Sequence, residues 1–352
     1  MATVLEYAEA TDPGLDPHKR VNEDACAHAD TALGRLFVVC DGMGGHAGGK
    51  QASEIAIRTV LEHMAQPAPG LGPQAALVRA IEQAARRVYE FGGPANNPHR
   101  PGSTCVAILI HDGVTEVAHV GDSRAFAIRG KQIHRLTRDH SYVQELLDQG
   151  AITEQQAIGH PEGNKITRAL GMTPTVEVEA MPEPLELFDG DVFLLASDGL
   201  TDLAQPHDIL KTTVAYLRSD GPETACAELV ALANRRGGHD NITVQLVRVV
   251  SAGPKLARTR VEAPHFGASG QTLVASPHGL VSATEPGAPM TAAHGDPYAA
   301  APPSWNYAPP SLPLAPLAAP PGTNPLMYVV IGLNAVIGIL LALLLWALLL
   351  RN

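Results

Sequence analysis

Short, wholly apolar runs that stop at an aspartate set the hydrophobic pattern of this chain. Residues 36–40 read as a buried strand that breaks off at Asp41 into the glycine-dense turn from Gly42 to Gly45. The construction returns at 192–196, which runs into Ser197, Asp198 and Gly199. Two shorter echoes are Gly121-Asp122-Ser123 and Asp240-Asn241-Ile242. A strand end is a rigid mount, and glycine lets the backbone come close to whatever the carboxylate holds. Aspartates at 41, 122, 198 and 240, far apart in sequence, are therefore expected to converge on one site.

Between these landmarks the polar and apolar positions change period. Residues 3–9 alternate as a strand, and the turn-rich loop 11–17 leads to Lys19, Arg20, Asn22, Glu23 and Asp24. Helical spacing over 51–64 and 74–91 predicts two helices. From 103 to 136 short strands at 104–110, 114–120 and 124–128 are separated by turns with no room for a crossover helix, so this sheet is predicted to be antiparallel. Short helices follow at 141–149 and 152–158, then a polar, glycine-containing flap at 159–170. Strand character at 176–187 and 191–196, helices at 206–217 and 222–235, and a last strand at 242–250 complete the pattern. Helix pairs between runs of antiparallel strands predict an α+β fold, two sheets packed together with helices outside.

At residue 251 the pattern stops. Residues 251–325 hold 15 of the 29 prolines, carry few charges and keep no hydrophobic period, and read as a disordered linker. Residues 326–350 are an uncharged, apolar run with Asn334 inside it, roughly 37 Å long as a helix, which suits a hydrocarbon core of about 30 Å. The expected organisation is a globular domain over 1–250, a linker over 251–325 and a C-terminal transmembrane helix over 326–350. Its simplest topology is a single-pass anchor in the cell membrane with the globular domain in the cytoplasm.

Composition narrows the function. A net charge of −11, with the acids almost wholly in the first 250 residues, argues against a nucleic-acid partner, which would be met by a basic face. The cysteines at 26, 40, 105 and 226 form no Cys-x-x-Cys pair and read as small buried hydrophobes in a reducing compartment. Clustered carboxylates without cysteine or histidine pairs select hard cations, Mg²⁺ or Mn²⁺. Asp41 can bridge two ions while the carbonyl of Gly42 ligates one, with Asp198 and Asp240 completing the shell. Such a pair lowers the pKa of a water and aims it at phosphorus. Lys19 and Arg20 are the cations placed to hold the remaining phosphate oxygens.

The ordered motifs Asn22-Glu23-Asp24-Ala25, Asp41-Gly42-Met43-Gly44-Gly45, Gly102-Ser103-Thr104, Gly121-Asp122-Ser123-Arg124, Ser197-Asp198-Gly199-Leu200 and Asp240-Asn241-Ile242-Thr243 carry a resemblance. Over residues 3–250 the chain resembles the bacterial branch of the metal-dependent protein phosphatases of the 2C family. The resemblance implies a four-layer α-β-β-α sandwich of two antiparallel sheets between helix pairs. It implies hydrolysis of phosphoserine and phosphothreonine in proteins by a metal-activated water, opposing a serine/threonine protein kinase. By position, Asp41 looks like the bridging ligand, Gly42 the carbonyl ligand, and Asp198 and Asp240 further direct ligands. Glu23 and Asp24 resemble the second metal's holders, and Asp122 with Asp198 the third-metal site of bacterial members. Two departures stand out. Lys19 occupies the place of the family's phosphate-binding arginine, with Arg20 one position later, and lysine lacks the bidentate fork. Met43 stands where eukaryotic members often have a histidine general acid.

Two other enzyme classes and one non-enzymatic reading compete. Gly44 to Lys50 satisfies the P-loop spacing, but Gln51 replaces the hydroxyl residue for Mg²⁺ and the antiparallel meander contradicts that fold. A cysteine-nucleophile phosphatase needs an arginine six residues after the cysteine, and those positions hold Ala32, His46, His111 and Leu232. A phosphoprotein-binding module without turnover would be marked by a lost ligand, yet Asp41, Asp198 and Asp240 are all present.

Overall fold

In the computed structural model of the protein, residues 3–253 are described, apart from Arg20, His46 and Pro98. Strands β1 (Val4–Asp12), β2 (Ala25–Thr31), β3 (Gly34–Cys40) and β4 (Gly42–Met43) precede helices α1 (Ala47–Ala65) and α2 (Pro73–Phe91). Strands β5 (Gly102–Ser103), β6 (Cys105–His111), β7 (Val114–Val120), β8 (Arg124–Arg129) and β9 (Gln132–Arg135) form the middle of the chain. After the short helices α3 (Tyr142–Asp148) and α4 (Glu154–Ala157) come β10 (Glu179–Ala180), β11 (Leu185–Glu186) and β12 (Val192–Ala196). Helices α5 (Asp198–Thr201), α6 (Pro206–Ser219) and α7 (Gly221–Arg235) lead to β13 (Ile242–Ser251).

The strands sort into two main sheets, ordered β1-β13-β12-β8-β9 and β10-β7-β6-β3-β2, with β11 also on β7 and a small β4-β5 pair beside them. Every strand pair in them is antiparallel, which excludes the parallel sheet of a P-loop enzyme. Helices α1 and α2 cover the second sheet and α5 to α7 the first, while the sheets meet through β13, β12, β3 and β2. The α-β-β-α sandwich expected from the sequence is the observed architecture.

Burial on both faces explains the unbroken apolar strands. Leu36, Val38 and Cys40 join the core under α1 and α2, while Phe37 points the other way and meets Tyr7 of the opposite sheet edge-on, with ring centroids 5.3 Å apart. On β12, Val192, Leu194 and Ala196 pack under α7 and leave Phe193 and Leu195 to the inter-sheet layer. Where only one face is covered the pattern alternates with small residues. That is why β2, whose sequence is Ala-Cys-Ala-His-Ala-Asp-Thr, gave no strand signal on reading. Cys40, Cys105 and Cys226 are buried free thiols, and Cys26 is half-buried. The segment 159–170 lacks helix and strand, but Lys165 accepts from the Tyr142 N–H (2.9 Å), and Leu170 exchanges backbone hydrogen bonds with Ser103 (2.8 and 3.0 Å).

The expected transmembrane helix is corrected here. Among the described residues no helix is long and apolar enough to cross a membrane. The longest, α1 and α2 with 19 residues each, are amphipathic, with Lys50, Glu54, Arg58 and Glu62 on one and Arg79, Glu82, Arg86, Arg87 and Glu90 on the other. The run at 326–350 and almost all of the linker read at 251–325 lie outside the described residues. The fold class therefore stands without a membrane helix. The membrane partner, the single-pass anchor and the cytoplasmic placement deduced from that anchor are withdrawn with it.

Phe37 fills the layer between the sheets with no exposed surface, so Phe37→Ala is expected to cost about 3–5 kcal/mol, read from the midpoint of urea unfolding. A loss below about 1 kcal/mol would mean that the sheets do not pack through this residue.

Candidate metal centre

Each sequence-predicted carboxylate that the structure describes is delivered by the end of a regular element. Asp41 follows β3, and its backbone is fixed twice: its N–H donates to Thr104 Oγ1 (2.9 Å), and the Thr104 N–H donates to its carbonyl (2.8 Å). Thr104 Oγ1 also shares a hydrogen bond with Ser123 Oγ (2.7 Å), which ties Asp41 to the turn carrying Asp122. Asp198 opens α5 directly after β12. The preceding Ser197 hydroxyl donates to Asp24 Oδ2 (2.7 Å) and accepts the Thr243 N–H (3.0 Å). Asp240 lies just ahead of β13, and its neighbour Asn241 accepts the Glu23 N–H at Oδ1 (2.8 Å) and donates to the Pro13 carbonyl (3.0 Å). The segment holding Glu23 and Asp24 is thereby stitched to the start of the last strand.

Two glycines are required by close approach. A Cβ on Gly42 would collide with the carbonyl oxygens of Gly49 and Glu23, and one on Gly49 would collide with the Glu23 carboxylate. The Glu23 carbonyl also accepts the Ser53 hydroxyl of α1 (2.5 Å). Glycine density after Asp41 thus brings the start of α1 and Glu23 against the Asp41-Gly42 backbone.

The aspartates are crowded and mutually repelling. Burial drives Asp41 well above the ordinary carboxylate range, reinforced by Asp24, Asp198, Asp122 and Asp240. Burial does the same to Asp198, with Asp122, Asp202, Asp240 and Asp24 adding to it. Burial lifts Asp24 to about 6 against the pull of the Ser197 and Thr243 hydroxyls, and Asp122 to about 7 with Asp139 adding to the rise. Asp24 Oδ1, Asp122 Oδ1 and Asp198 Oδ1 are buried without any hydrogen-bond partner. Orphaned carboxylate oxygens in a like-charged cluster cost free energy unless something positive meets them. Lys19 supplies part of that charge through an ion pair with Asp240. Burial works against the Lys19 cation, but Asp240, Asp198 and Asp41 hold its pKa above the usual value. Arg20 lies outside the described residues.

This donor set fits hard divalent cations: oxygen ligands, excess negative charge and unmet lone pairs. Among the described residues the tightest group of potential ligand atoms is a different one, His119, His140 and Glu179, all within 4.8 Å of one another. A cleft of about 810 Å³ runs from Asp122 and Asp198 past Asp202 and Asp139 to α3, α4 and the segment around His160. Asp202 belongs to none of the sequence motifs, although its position four residues after Asp198 sets both on one helical face and both line the cleft. Thr104 and Asn241 lie within the sequence motifs, but their hold on the backbone of the carboxylate carriers joins distant segments and no local pattern marks it.

An antiparallel sandwich with buried, orphaned carboxylate oxygens at its strand ends has the donors of a protein that holds divalent cations. A family model described as Protein phosphatase 2C matches residues 18–233, and the chain belongs to that family. It is 36% identical over 252 residues to the serine/threonine protein phosphatase PstP of Mycobacterium tuberculosis, a match covering 70% of this chain and 45% of that relative. The chain thus spans less than half of that relative's length. The structure of a serine/threonine phosphatase from S. agalactiae is similar with a TM-score of 0.63 at 33% identity, covering 70% of this chain and 100% of that one. The PstP catalytic domain in complex with 2 manganese ions is similar with a TM-score of 0.59 at 32% identity, covering 71% of this chain and 100% of that one. The described domain is a metal-dependent serine/threonine protein phosphatase with a divalent-metal cofactor.

The raised carboxylates give the metal-free protein a pH dependence. Asp24 and Asp122 keep their protons in the fold up to about 6 and about 7, whereas the unfolded chain releases them near 3.8. Stability from those protons is complete below the unfolded value and is lost as pH rises through the folded ones. With chelator present, the wild type is expected to lose melting temperature between about pH 4.5 and 7.5 relative to the Asp24→Asn, Asp122→Asn double variant, and saturating Mn²⁺ should abolish that loss. Parallel melting curves for the two proteins in chelator would contradict the electrostatics described here.

Proposed function

We propose that residues 1–250 form the catalytic domain and hydrolyse phosphoserine and phosphothreonine in proteins with Mn²⁺ or Mg²⁺, two ions and a third on the Asp122 side. In this reading Asp41 would hold both principal ions and the Gly42 carbonyl one of them, Asp198 and Asp240 would complete the first, and Glu23 and Asp24 would hold the second. Asp122 with Asp198 would hold the third. The observation that carries it is the set of buried, partnerless oxygens on Asp24, Asp122 and Asp198. The manganese-bound PstP domain, similar over its full length, supports the choice of ion. When bound, the ions supply a nucleophilic water at neutral pH and neutralise phosphate charge.

The chain's own residues do the positioning. Thr104 and Ser123 fix the Asp41 backbone, Ser197 orients Asp24, and Asn241 holds the Glu23 segment. Lys19, drawn to the cluster by Asp240, is the cation placed to hold phosphate oxygens, and Arg20 is the second candidate from the sequence. Phosphorylated proteins are the substrates, and a serine/threonine protein kinase is the activity opposed.

The protein is expected to cleave p-nitrophenyl phosphate and a phosphothreonine peptide with Mn²⁺ or Mg²⁺ and to stop on addition of EDTA. Asp41→Asn and Asp240→Asn should each lower kcat by about a hundredfold or more while circular dichroism shows the fold retained. Metal-replete wild type with no turnover of either substrate would leave a phosphoprotein-binding module instead.

A further inference from the structure

His140 lies in the loop between β9 and α3, in the stretch Thr137-Arg138-Asp139-His140-Ser141, and is buried. It holds one residue at both ends. The His140 N–H donates to the Gly121 carbonyl (3.0 Å), and the Gly121 N–H donates to His140 Nδ1 (3.0 Å). Gly121 is the turn residue directly before Asp122. Its φ of 105° lies in the region that favours glycine, and a Cβ there would strike Thr104. Every polar backbone group of this turn residue is thus bound by His140.

The rest of the imidazole is also committed. With Nδ1 accepting, the neutral ring carries its proton on Nε2, which donates to Glu179 Oε2 (3.1 Å). Arg168 Nη1 approaches the same nitrogen (3.2 Å) and donates to the Glu177 carbonyl (3.2 Å). The His140 carbonyl accepts the Thr167 N–H (2.8 Å). His119, cross-strand from Glu179, stacks on His140 with ring centroids 4.8 Å apart and planes 14° apart, and its Nε2 donates to the Arg138 carbonyl (2.7 Å). In-plane lone pairs of two stacked rings run parallel and do not converge on one ion. The three residues therefore act as a hydrogen-bonded brace, although their ligand atoms lie close together.

We propose that His140 is a positioning residue that fixes the Gly121 backbone, thereby aims the Asp122 carboxylate at its cation, and ties segment 165–168 to the same turn. The metal half rests on the reading of Asp122 given above. Asparagine places an acceptor where Nδ1 stands, whereas glutamine places a polar group where Nε2 stands. The two substitutions therefore separate the Gly121 contact from the Glu179 contact.

The experiment is carried out on the full chain as His140→Asn, His140→Gln, His140→Ala, Glu179→Ala and Asp122→Asn. Gly121 amide exchange is followed by NMR in metal-free protein, and Mn²⁺ binding by calorimetry. His140→Gln and His140→Ala are expected to speed Gly121 exchange and to weaken the weakest Mn²⁺ step, each by about tenfold or more. His140→Asn should stay close to wild type in both. Glu179 is half-exposed on a two-residue strand, so Glu179→Ala should fold and show a smaller shift in the same direction. Unchanged Gly121 exchange in His140→Gln, or His140→Asn as impaired as His140→Ala, would overturn the brace. If Asp122→Asn leaves Mn²⁺ binding intact, the reading of Asp122 fails and the metal half falls, while the exchange rates still judge the brace. If His140→Ala and Glu179→Ala each remove a whole ion that Asp122→Asn retains, the triad is itself a ligand set and the proposal is wrong.

Discussion

Carboxylate repulsion under burial is the constraint on which the site depends. Asp24, Asp41, Asp122 and Asp198 are crowded together and largely withdrawn from solvent, and each is pushed toward its protonated form. A fold keeps such an arrangement only if the backbone carrying it is held more firmly than the charges push apart. The sandwich provides that restraint. The strands that border Asp41, Asp122, Asp198 and Asp240 are buried on both faces, so their ends cannot shift without disturbing two packed layers at once.

The restraint is completed by uncharged side chains. Thr104 and Ser123 join the ends of β3 and β6 to the turn after β7, and Ser197 spans from β12 to Asp24 and β13. Asn241 fastens the Glu23 segment to the start of β13. The acids form the charged cluster, and these hydroxyls and amides are its frame. Neutral donors suit that task, because a cation in their place would compete with a metal for the same oxygens.

The cleft extending from Asp122 and Asp198 to α3, α4 and the segment near His160 gives the centre one open side. That segment is tied to the body by backbone bonds at Lys165, Thr167 and Leu170. Its link to Asp122 passes through His140, so the wall of the cleft and the Asp122 turn share one anchor.

Much of this was legible in the sequence because it is local. Apolar runs ending at Asp41 and Asp198 marked buried strands and their carboxylates, helical spacing found α1, α2, α6 and α7, and the glycine-dense turn after Asp41 marked a close backbone approach. Strand β2 was not legible, since small alternating residues of a half-covered edge strand carry little hydrophobic signal. The apolar run at 326–350 gave a strong local reading of a membrane helix, yet none of the described helices has that character, and hydropathy alone did not establish one. The chain by itself determined the family, the layered class and the acids, because period and motif are properties of neighbouring residues. Only the tertiary structure decided what holds those acids in place, through contacts such as His140 with Gly121, Ser197 with Asp24 and Asn241 with Glu23. Those partners are separated by 19, 173 and 218 positions, and no local pattern encodes which distant segments will meet.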